Sequence, residues 1–312
     1  IYFLFLVFFS LTILWSKNVK ESLNYFLWFV GGGAAWIFVY NFREVFEKLL
    51  VPIITLLGIV SSVIFLLNQF FPSQYTAPFS LFYPPYASHT HSQLGNLWSI
   101  LLIIIVDYVI RTKKWGWLFL GVPSVYFLSV SLSRSAYVSL AVGLIFLFWQ
   151  RGLIARYKRY LYAGISLTVL LFVASAFQKT TLFSRPYFVQ GIVGIIRNPF
   201  GVGVGNFSII SKDFGNHIFG MSGYSAFAQN IVLEILTGMG VFGFSFVLWL
   251  YFVMSSFWKK NELILFQAVF VAILTSFMFN ASYIVPFFLW LWFMALGLSI
   301  KESDRIEGYL HE

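Results

Sequence analysis

From Leu49 to Val106 the chain has no Asp, Glu, Lys or Arg, and the same holds from Leu263 to Ile300. A water-soluble domain cannot leave runs of that length uncharged, because its surface must be wetted. Over all 312 residues the charged share is 10%, against roughly 25% in soluble domains. A soluble enzyme and a DNA-binding protein are thereby excluded. Apolar residues reach 60%, and Phe, Tyr and Trp together 21%, a composition suited to lipid as solvent with aromatic belts at its borders. The net charge of +9 fits Lys and Arg in cytoplasmic loops rather than contact with nucleic acid. There is no cysteine, so disulfides, thiolate nucleophiles and Cys-ligated metals are ruled out.

A membrane-crossing helix takes about 20 apolar residues. Candidate spans are Ile1–Trp15, Ser22–Tyr40, Leu49–Asn68, Gln93–Ile110, Trp115–Ser133, Ser135–Trp149, Tyr160–Phe177, Asn230–Trp258, Leu263–Ala281 and Ile284–Ile300. The last two are joined by a hairpin at Ser282–Pro286. The expectation is an all-α polytopic transmembrane bundle of about ten spans, with residues 1–312 forming one membrane domain and 178–229 a long external loop. The chain opens on Ile1 inside an apolar run. It reads as starting within a longer protein, with upstream spans missing and no recognisable signal peptide. Arg43, Lys48, Arg111, Lys113, Lys114, Arg151, Arg156, Lys158, Arg159, Lys259, Lys260, Lys301 and Arg305 fall on one side, which the positive-inside rule makes cytoplasmic. Lys17, Lys20, Arg134 and the long loop fall on the other.

Ionisable residues inside spans are few. Asp107 precedes Arg111 by four residues, the spacing of a helical ion pair. Glu234 lies one turn inside the outer end of its span, as a structural partner for an Arg or as a catalytic carboxylate. Arg134 stands alone in Ser131-Leu132-Ser133-Arg134-Ser135, either snorkelling to headgroups or holding an anion. Arg185 precedes Pro186, and Val189, Ile192, Val193 and Ile196 recur at helical spacing. This predicts a short amphipathic helix on the membrane, ending at Arg197. Gly201, Gly203 and Gly205 alternate in Pro199–Phe207, as a tight turn or as a phosphate- or sugar-facing loop. His89, His91 and His217 are assigned to external loops. With no acidic ligand nearby they do not make a metal site, and no cofactor is expected. His311, in the tail, is uninformative.

The Ser-Arg-Ser turn, Arg185-Pro186, the glycine loop and Gln229–Gly243 follow one another in an order that resembles the O-antigen ligase and O-antigen polymerase superfamily of bacterial membrane glycosyltransferases. The resemblance implies a GT-C-like helical enzyme at the outer face of the cytoplasmic membrane, active in lipopolysaccharide or other polysaccharide biosynthesis. It implies an undecaprenyl-diphosphate-linked glycan as donor, and lipid A core, a growing glycan or a protein as acceptor. Arg134 and Arg185 match the family's two essential arginines, and Gln229 stands where its essential His falls. Arg134, Arg185 and Arg197 are the candidate diphosphate ligands. Asn230, Gly203, Gly205 and Asn206 are assigned to the glycan or acceptor. Glu234, His217 and Gln229 are the candidate catalytic residues of an inverting transfer. The rival expectation is a transporter or flippase for lipid-linked glycan, with Gly31-Gly32-Gly33 as a helix break.

Overall fold

The computed structural model describes residues 1–70, 87–156, 159, 162–164, 166, 169–170, 187–213, 225–257 and 263–300. Every regular element among them is a helix, and three stretches are long and apolar enough to cross a membrane: Val19–Asn41, Leu94–Thr112 and Ile231–Ser256. Helical backbone is the expected outcome for such a composition, because lipid offers no partner for a free N–H or C=O. Hydroxyls on these helices turn back to their own carbonyls, as Thr12 does to Phe9, Thr55 to Val51 and Thr275 to Val271.

The chain divides into two compact units. The first comprises Ile1–Gly33, Ala176–Lys259 and Phe277–Leu289. It holds α1 (Tyr2–Ile13) and the start of α2 (Val19–Asn41). Phe5, Phe9, Phe29 and Phe246 interlock in its centre. In a lipid solvent such packing, rather than water exclusion, holds helices together. The second unit comprises Ala34–Ser175, Lys260–Ser276 and Trp290–Glu312. It is built around α4 (Ala87–Thr112), beside α3 (Arg43–Phe70), α5 (Gly121–Ser131) and α6 (Arg134–Gln150). Trp98 stacks on Phe127 at 5.3 Å. Exposed residues on α2 and α3 are apolar at helical spacing, including Leu23, Leu27 and Val30, then Leu49, Ile53 and Leu56. Water would not tolerate such stripes, and lipid suits them.

Several expectations change. His89 and His91 lie in the first turns of helix α4 rather than in a loop, because the apolar helix extends past their polar segment. Gly31, Gly32 and Gly33 sit inside unbroken α2, where the absent side chain at Gly33 makes room for the Tyr2 ring. The expected span from Asn230 is interrupted: α9 (Ile231–Met239) stops at Gly240, and α10 (Phe244–Ser256) follows a 3₁₀ turn. Trp115–Leu120 is likewise a 3₁₀ turn ahead of α5. The hairpin forms, with a 3₁₀ turn at Ala281–Ile284 between α11 (Ile264–Phe279) and α12 (Pro286–Ser299). Among the described residues, the 178–229 loop carries two short helices, α7 (Tyr187–Arg197) and α8 (Phe207–Asp213). Most of the expected span Tyr160–Phe177 lies outside the described residues.

Candidate functional site

In the first unit the site grows from α9. Asn230 is its N-cap: its Oδ1 accepts from Leu233 N at 3.0 Å, while its Nδ2 donates to Met278 O. One turn on, Glu234 is 1% exposed. Its Oε1 accepts from Gly205 N at 3.2 Å, and its Oε2 accepts from Ala228 N at 2.9 Å and Tyr283 OH at 3.1 Å. All three partners are donors, so this buried carboxyl is an acceptor throughout and ties three separate segments together. Among the described residues it forms no ion pair. The Tyr283 hydroxyl, in the 3₁₀ turn outside the spans, is raised well above the ordinary tyrosine value by burial and next by the Glu234 carboxylate. It therefore stays a proton donor.

The glycine loop runs between α9 and the α1–α2 turn. Its carbonyls at Phe200, Val202 and Val204 accept from Trp15 Nε1, Lys17 N and Ser22 Oγ. Its amides at Val202 and Gly203 donate to Thr237 O and Gly238 O, at the end of α9. Gly201, Gly203 and Gly205 have φ of 80°, 92° and 83°. A Cβ on Gly203 would overlap Ser16 Oγ, and one on Gly240 would overlap the Pro199 carbonyl oxygen. The tight, closely approached turn is formed, with the Val202 and Gly203 amides occupied within the fold. Asn206 is buried, its Nδ2 donating to Ser16 Oγ, Ser22 Oγ and Val202 O. Gln229 has a left-handed backbone, φ 55°, and its Oε1 accepts from Ala281 N at 3.3 Å.

Helix α7 packs through its small residues, with Gly191 toward Leu233 and Gly194 toward Ile210. Ile192 and Ile196 are exposed. Half of the apolar stripe thus faces outward, because only glycines allow the approach to α8 and α9. Arg197 is in the last turn, where a cation complements the helix dipole. Arg185 and His217 lie outside the described residues.

In the second unit, Arg134 occupies the first turn of α6 and is half-buried. Leu132 takes φ 47°, a left-handed conformation that costs about 1–2 kcal/mol. Ser133 caps the helix by accepting from Ala136 N, Ser131 Oγ accepts from Ser133 N, and Ser133 and Ser135 share a hydroxyl contact at 3.1 Å. Gly95 leaves the room, since a Cβ there would press on Ser131 and Ser133. Asp107 is fully buried and pairs with Arg111 at 2.9 Å as its spacing predicts, but it also binds Arg151, the residue that caps the C-terminal end of α6.

The structure therefore brings Gly203, Gly205, Asn206, Gln229, Asn230 and Glu234 together in one unit, with Tyr283 and Ser22 as members that the sequence reading missed. Tyr283 was signalled only as a polar ring inside an uncharged hairpin. The chain matches no family model, no curated protein and no solved structure.

Proposed function

We propose that the chain is an inverting membrane glycosyltransferase of the O-antigen ligase or polymerase kind, working at the outer face of a bacterial cytoplasmic membrane. It takes glycan from an undecaprenyl-diphosphate carrier. An acceptor hydroxyl attacks the anomeric carbon opposite the diphosphate, the carbon–oxygen bond to phosphate breaks, and the carrier diphosphate leaves. Its leaving-group charge calls for fixed cations, a task for which the planar arginine fork is suited. The observation that carries the reading is the Arg134 turn. Placing a cation in the first turn of a helix is unfavourable by about 0.3–1 kcal/mol, and a left-handed Leu132 with a buried serine network holds it there. A diphosphate at that turn would gain from the guanidinium and from the helix end together. Because Glu234 already holds three donors, the proton-accepting role falls to His217 or to water.

The test is transfer by purified protein from a lipid-diphosphate glycan. Arg134→Ala and Arg185→Ala abolish it while leaving protein in the membrane, and Arg134→Lys stays poor. Wild-type rates in both alanine variants would end the proposal. One observation favours transport of the lipid-linked glycan instead: the helix Ile231–Ser256 is interrupted at Gly240, and its first half buries Glu234, an arrangement that transporters use. Glycan translocation into proteoliposomes without transfer would select that reading.

A further inference from the structure

We propose that the cleft at the basic end of α4 and α6 binds the phosphate of an anionic phospholipid. The inference goes beyond glycan transfer and rests only on the chain lying in a membrane. The cleft has a volume of about 490 Å³, and its lining combines Arg111, Arg151 and Trp149 with the aliphatic Ile110, Leu153 and Ile264. Asp107, which is 0% exposed, accepts from Arg151 Nε at 2.8 Å and from its Nη2, and it pairs with Arg111 Nε at 2.9 Å. One buried carboxylate thus fixes two guanidinium groups and neutralises one of them, so the cluster keeps one net positive charge. Each guanidinium carries five N–H donors. Asp107 Oδ1 accepts from Nε and Nη2 of Arg151, Arg111 Nε lies beside Oδ2 as an ion pair, and a guanidinium's other N–H groups have the fork geometry that phosphate takes.

The wall residues select the form of the phosphate. Among the described residues, no carboxylate lines the cleft. Lys113 and Lys114, both exposed, follow Arg111 and add to the positive field. Gly152, at φ 65°, turns the chain at the end of α6 and lines the cleft. Trp149 belongs to the residue type that settles at headgroup level. The three aliphatic residues offer an acyl chain a surface that a free phosphate would leave bare. Lipid therefore fits the whole lining, and inorganic phosphate only its charged part.

Native mass spectrometry of the full chain in detergent, titrated with dioleoyl phosphatidylglycerol or dioleoyl phosphatidylcholine, tests this. The expected result is tighter retention of phosphatidylglycerol by roughly tenfold, lost in Arg111→Gln, which keeps the Arg151–Asp107 pair intact. Leu153→Trp, which fills the cleft without altering charge, should produce the same loss if Arg111→Gln folds poorly. Equal retention of both lipids, or an unchanged preference in both variants, overturns the proposal. Displacement of phosphatidylglycerol by millimolar inorganic phosphate also overturns it, by marking a free-anion site. Glycan transfer plays no part in the readout, so the two proposals fail separately.

Discussion

Glu234 is a residue whose surroundings decide what a single atom change does. Its two oxygens face backbone N–H groups at Gly205 and Ala228. In Glu234→Gln, whichever way the amide turns, its NH₂ meets one of those donors. A buried donor left without an acceptor costs about 1–3 kcal/mol. We expect Glu234→Gln to lower the thermal midpoint by several degrees. Tyr283→Phe, which leaves both backbone donors paired, should lower it less. A midpoint for Glu234→Gln within a degree of wild type would show that the carboxylate does not fasten the loop. Transfer lost at full stability would return Glu234 to the proton-accepting role.

The element scale belongs to the break after α9. Gly240 has φ 59°, and Val241 N donates to Pro199 O at 2.8 Å. Backbone therefore meets backbone where a side chain has no room. Gly240→Ala combines left-handed strain with a clash and should cost about 2 kcal/mol or more, read as loss of monodisperse protein on gel filtration. Gly116→Ala, with nothing near its Cβ position, is the neutral control. Equal yields would mean that the segment at Pro199 does not lock onto the break. The apolar runs made most helices legible, because in uncharged stretches little else can satisfy the backbone. The glycine positions that permit close approach were legible too, through their alternation in Pro199–Phe207. The break was not, since Gly238 and Gly240 sit in a run whose hydropathy is continuous. Nor were Arg151 at Asp107 or Tyr283 at Glu234, because both contacts join residues far apart in the chain. Local spacing announces Arg111 at Asp107 and is silent about partners on another helix.

At the scale of the whole molecule, exposed apolar stripes on α2 and α3 predict that alkaline carbonate washing leaves the protein in the membrane pellet. Release into the supernatant would contradict the bilayer placement. If arginines supply the counter-charge to the diphosphate, transfer should continue in EDTA. Loss on chelation with rescue by Mg²⁺ would replace that mechanism with a metal-assisted one. The discontinuity of the first unit carries a further consequence for biosynthesis. Ile1–Gly33 shares its core with Ala176–Lys259, and Ala34–Ser175 are translated in between. At 5–20 residues per second, that interval lasts roughly 7–30 s. During it, the buried Phe5 and Phe29 have no Phe246 to meet, and Ser22 has no Val204 carbonyl. The ribosome thus releases an orphaned helical hairpin long before its mate, and an insertase or chaperone that shelters such intermediates becomes a determinant of yield.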